Sequence, residues 1–163
     1  LRGLYMDKKD IIQQGEDGVY TVSIERDGFS MDEDDFSVEL SYGMKGESVV
    51  IRKEDMTVKD GKYYFSVDTS EMMQVVTATC RYGVSDDACP DGVRQEVNRQ
   101  YLCAVVGMPF PLRVCVPAYD PETEAVVKYE RESYDETYYE ALLTKDGEKV
   151  VTKDGMYVYV LRR

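Results

Sequence analysis

Thirty-two carboxylates and four cysteines supply most of the reactive chemistry open to this 163-residue chain, which has no histidine at all. Nucleophilic hydrolysis by serine or cysteine needs a base beside the nucleophile, and histidine is the usual one. The common triad is therefore excluded, leaving only the rarer serine–lysine and cysteine-only forms. Paired carboxylates across a cleft are enough to hydrolyse a glycosidic bond. Here, however, carboxylates are so abundant that close pairs arise by chance, and no tryptophan is present to form a sugar platform. The acidic runs Asp32–Asp35 and Asp86–Asp91 offer oxygen ligands of the kind calcium prefers. Neither has the spaced aspartates and glycine of a calcium loop, so both read as solvated turns. No glycine-rich phosphate loop of the required spacing occurs.

Cys80, Cys89, Cys103 and Cys115 contain no CxxC pair, and a zinc site would need all four or help from carboxylates. Cys80 and Cys103 fall in strand-like runs, where a free thiol behaves as a small apolar side chain. Free thiols, suited to a reducing cytoplasm, are the expectation; a structural disulfide is the competing reading. The sequence thus predicts no catalytic, cofactor-binding or metal-ligating residue, no cofactor, and a protein that is not an enzyme.

Charge narrows the partners. Twenty basic against 32 acidic residues leave a net charge of −12 and a pI near 4.5. Such a surface repels phosphate backbones and anionic lipid, so neither nucleic acid nor membrane is expected as a partner. No apolar run reaches the roughly 18 residues of a membrane-crossing helix. Leu1–Tyr5 lacks the apolar stretch of a signal peptide. The 14 tyrosines are the one conspicuous excess. Tyrosine suits half-buried sheet positions and is also enriched at protein interfaces.

The elements that must position these groups are strands. Tyr20, Val22 and Ile24 alternate with Thr21 and Ser23, and Phe36, Val38 and Leu40 with Ser37 and Glu39. Ser48–Lys53 brings Val49 and Ile51 to one face. Asp60-Gly61 marks a turn before Tyr63, Phe65 and Val67. Thr69 and Ser70 are placed to cap one helical turn through Met72 and Met73. Val75–Tyr82 is β-branched, Asp86–Gly92 must be a loop, and Val93–Val106 runs long and ends apolar. About seven strands with turns every eight to twelve residues predict a β-sandwich over residues 1–107.

Gly107-Met108-Pro109-Phe110-Pro111 then forms a stiff connector to a small α+β extension, residues 108–163. Leu112–Val116 and Thr123–Tyr129 read there as strands. Ser133–Leu143 places Tyr134, Tyr138, Tyr139, Leu142 and Leu143 near helical spacing, which predicts one short amphipathic helix. Thr144-Lys145-Asp146-Gly147 recurs as Thr152-Lys153-Asp154-Gly155, predicting two successive β-turns and a terminal strand.

Five stretches carry a family likeness: Ile11-Ile12-Gln13-Gln14-Gly15 with Val19–Ile24; Phe36–Leu40; Val49-Val50-Ile51-Arg52-Lys53-Glu54-Asp55; Asp60–Val67; and Val93–Val106. With them, residues 10–106 resemble the N-terminal β-sandwich domain of phage baseplate upper proteins and related tail proteins. The Asp86–Gly92 loop and residues 108–163 depart from that pattern. The resemblance implies an immunoglobulin-like antiparallel sandwich used for attachment within a virion, with no catalytic residues to carry over. The expectation is a structural module of a phage or prophage tail or baseplate, assembled in the bacterial cytoplasm. Its partners would be copies of itself or neighbouring virion proteins, met through Met108, Phe110, Tyr134, Tyr138 and Tyr139. The rival reading is a secreted or cell-surface glycan-binding sandwich, with a disulfide of the Cys80–Cys103 type and a tyrosine-lined groove.

Overall fold

The computed structural model describes residues 5–6, 11–42, 46–72, 74–85, 94–107, 111–117, 126–132 and 139–161. Its strands are β1 (Tyr5–Met6), β2 (Ile11–Gln13), β3 (Gly18–Ile24), β4 (Phe36–Tyr42), β5 (Glu47–Arg52), β6 (Thr57–Lys59) and β7 (Lys62–Val67). They continue with β8 (Gln74–Val84), β9 (Arg94–Val106), β10 (Arg113–Pro117), β11 (Val127–Arg131), β12 (Tyr139–Ala141) and β13 (Met156–Leu161). Among the described residues the sole helical piece is a 3-10 turn at Lys53–Asp55, so the chain is all-β.

Period-two alternation explains the central strands. Tyr20, Val22 and Ile24 of β3 are buried, as are Phe36, Val38 and Leu40 of β4 and Tyr63, Phe65 and Val67 of β7. Val76, Ala78, Cys80 and Tyr82 of β8 meet them in one core. Its aromatic rings interlock, with Tyr20 stacked on Phe65 at 5.9 Å and Phe36 edge-on to Tyr63 at 5.6 Å. Two sheets enclose this core: a five-stranded one ordered β2-β9-β8-β4-β5 and a four-stranded one ordered β11-β3-β7-β6. With β3, β7 and β6 facing β9, β8, β4 and β5, these strands form an immunoglobulin-like sandwich. The expected antiparallel pairing holds throughout except that β2 runs parallel to β9. β6 was not legible beforehand; it forms by folding back on β7 through Asp60 and Gly61, both at positive φ.

A register shift at Val76/Thr77 changes which face β9 presents. Beyond it Cys103 and Val105 enter the main core, whereas Ala104 and Val106 point the other way. There they join Ile11 and meet a third sheet, ordered β1-β12-β13-β10, which contributes Val114, Val116, Tyr139, Ala141 and Tyr159 to a second core. The chain beyond residue 107 also re-enters the sandwich itself. β11 pairs with β3 from Val127↔Ile24 to Arg131↔Tyr20, and Val127 lies in the main core.

The helix expected over Ser133–Leu143 is corrected where it can be seen; residues 133–138 lie outside the described residues. Tyr139–Ala141 is a strand hydrogen-bonded to β13, and Leu143 bridges to Lys149. Tyr139 and Ala141 are buried while Glu140 is half-buried between them. That is a period of two, which a flanking sheet rewards and a lone helix does not. The repeated Thr-Lys-Asp-Gly pair does form twin turns. Gly147 and Gly155 sit at φ 82° and 77°, and their N–H groups donate to the Thr144 and Thr152 carbonyls at 3.0 Å each.

The helical turn expected after Asp68 is a simple turn closed by the Met72 N–H on the Thr69 carbonyl at 3.1 Å. The buried Thr69 hydroxyl donates to the Glu16 carbonyl at 2.6 Å and accepts the Gly15 N–H at 3.0 Å. It therefore ties the β7–β8 turn to the β2–β3 turn instead of capping a helix.

Candidate interaction site

Glu96 on β9 gathers two arginines and a tyrosine. Arg26 reaches its Oε1 at 2.9 Å, Arg94 reaches the same oxygen at 3.1 Å, and the Tyr82 hydroxyl donates to Oε2 at 3.1 Å. The Arg26 hydrogen bond holds the Glu96 carboxyl below the usual carboxylate range. Burial, reinforced by Glu96, pushes the Tyr82 phenol up to about 12. At neutral pH the first stays charged and the second neutral, which makes the group a strut from the loop after β3 to β9.

The acidic loop is similarly occupied with itself. Tyr63 donates to Asp32 Oδ1 at 2.7 Å and the Ser30 N–H to Asp34 Oδ2 at 2.8 Å. Lys53 Nζ donates to the carbonyls of Asp32 and Asp34 at 3.0 and 2.9 Å. Among the described residues no three acidic, cysteine or histidine groups gather in a metal-holding cluster.

Cys80 is buried opposite Asn98 and Cys103 opposite Val76, and no disulfide joins them. Burial pushes the Cys80 thiol up to about 12, so it packs as a small apolar residue.

Four of the five residues expected to make contacts, Met108, Phe110, Tyr134 and Tyr138, lie outside the described residues. The fifth is corrected: Tyr139 is 3% exposed, and its hydroxyl donates to the Pro111 carbonyl at 2.8 Å. Its ring fills the second core, so it is a packing residue of this chain and not a surface anchor.

The surface that stands out was not singled out from the sequence. Among the described residues β5 is the outermost strand of the five-stranded sheet and pairs with β4 alone, from Ser37↔Arg52 to Tyr42↔Glu47. Val49 faces inward opposite Leu40, and Val50 faces outward opposite Glu39. They remain 41% and 49% exposed. On the neighbouring β6, Val58 is exposed as well. A hollow of about 490 Å³ is lined by Ile51 of β5, Thr57 of β6, Val19, Asp55, Tyr64 and Glu132, among others. A strand edge offers unpaired N–H and C=O groups along one side, and here apolar side chains flank them. Adding a strand to such an edge is one of the recurring ways in which proteins recognise extended peptide segments.

Neither protein-family models, curated proteins nor solved structures match this chain.

Proposed function

We propose that the chain is a non-enzymatic structural module of a phage or prophage particle, seated at the tail or baseplate and acting through protein–protein contacts. The observation that supports the contact mechanism is the open β5 edge with its exposed valines. Adding a strand there satisfies backbone groups and removes apolar area from water in one step. The net charge of −12 disfavours indiscriminate association, leaving contact to the few places where an edge is open. The particle setting rests on the resemblance of residues 10–106 to baseplate sandwich domains.

Mass spectrometry of gradient-purified particles from a host encoding the chain tests this reading. The expected result is the chain at a fixed copy number relative to tail proteins. Recovery solely from the soluble lysate, with none in the particles, overturns it.

A further inference from the structure

Among the described residues the three sheets expose six outer strands, and five of them are guarded against pairing. β1 has two residues, and β2 has three, with Ile11 and Ile12 buried. β6 has three residues and ends on Lys59. β10 begins with Arg113 and ends with Pro117, and β11 carries Lys128, Glu130 and Arg131. Short length, proline and mid-strand charge are the ordinary means by which an edge is kept single. β5 has none of them. Its six residues, Glu-Ser-Val-Val-Ile-Arg, place charge at the two ends alone.

Resting on the reading of this edge as a contact surface, we propose that its occupant is β5 of a second copy. The two strands run antiparallel about a two-fold axis normal to the sheet, with Val50 opposite Val50 of the second copy. Such an axis preserves the inner and outer faces, so residues paired across it must share a face, and allowed registers differ by steps of two. Centring on Val50 sets Val49 against Ile51, Ser48 against Arg52 and Glu47 against Lys53. Apolar residues then meet on both faces, and no like charges are set opposite one another. Lys53 enters this register as a strand position only, because its ammonium donates to the Asp32 and Asp34 carbonyls and lies over the Phe36 and Tyr63 rings; apolar pairing at Val49, Val50 and Ile51 carries the match. Centring on Val49 instead opposes Glu47 to Ile51, and centring on Ile51 opposes Val49 to Lys53 and Val50 to Arg52. Self-complementarity in the Val50 register alone favours a second copy over a foreign strand.

Light scattering of the full chain at micromolar concentration tests this, using Val50→Lys and Val50→Glu. Each puts like charges directly opposite at the axis and is expected to weaken self-association roughly 30-fold. An equimolar mixture of the two is expected to restore the dimer, because lysine then faces glutamate. Val50 is half-exposed on an outer strand, so both variants are expected to melt as the parent does; melting curves check this. A monomeric parent, a parent dimer that ignores both substitutions, or a mixture that stays monomeric would each overturn the proposal. Detection in particles is read separately, so a monomeric chain found in particles removes the second copy and leaves the structural role standing.

Discussion

Arg131 on β11 and Glu16 in the β2–β3 turn meet at 2.8 Å, at the point where the late part of the chain rejoins the sandwich. The arginine side chain is 4% exposed and the glutamate 33%, and Arg131 Nη1 also donates to the Ile11 carbonyl at 3.4 Å. Removing the carboxylate takes one charged partner from a buried guanidinium. Glu16→Ala is expected to lower the unfolding free energy by about 2 kcal/mol, and Glu16→Gln, which keeps an acceptor, by about half that. Urea denaturation midpoints measure both; equal losses would assign the effect to shape and not charge.

Gly28 is the glycine whose replacement should be felt most. It sits at φ 82°, its carbonyl accepts the Ser85 N–H at 2.9 Å, and a Cβ there would collide with the Ser85 carbonyl. Backbone on both sides of the contact leaves nothing flexible to yield. Gly28→Ala is expected to cost more than about 2 kcal/mol, read by calorimetry, whereas Gly147→Ala meets no neighbouring atom and costs about 1 kcal/mol.

Thiol chemistry should separate the cysteines. Cys115 is exposed, while the Cys80 thiol is buried and raised to about 12. Iodoacetamide at mildly alkaline pH, followed by peptide mapping, is expected to label Cys115 in the folded chain and Cys80 only after denaturation. Labelling of Cys80 in the native chain would contradict its place in the core.

Stability should fall in acid through Glu96. Its folded pKa lies below the unfolded value of about 4.3. The stabilisation is therefore complete above that value and is lost as pH drops through the folded one. Tyr82 acts at the other limit: its folded value, about 12, exceeds the unfolded one, so its contribution holds below the unfolded pKa and is lost as pH rises toward the folded value. Glu96→Gln is expected to flatten the acid limb of a stability–pH curve, and Tyr82→Phe the alkaline limb.

How far the structure could be read beforehand depended on whether a strand's signal is local. In β3, β4 and β7 the inward residues are apolar and most of those between them are polar, so Tyr20, Phe36 and Phe65 announce their faces. β6 carries no such pattern because all three of its residues are exposed, and it exists through pairing with β7. Tyr139 misled for a related reason. Clustered tyrosines satisfy a helical spacing as readily as an alternating one, and the contact with β13 that decides between them is not written nearby in the chain. The open β5 edge stayed hidden because Val49 and Ile51 look like any inward pair. Their exposure matters once β5 is known to have, among the described residues, a neighbour on one side and none on the other.

The pairing of β11 with β3 also has a consequence for biosynthesis. β3 emerges from the ribosome early, β7 closes one of its flanks, and the other stays open until nearly the whole chain has been made. Closure that joins such distant segments is slow, on the order of milliseconds to seconds, and a chain stalled before Val127 would carry a bare β3 flank prone to clumping.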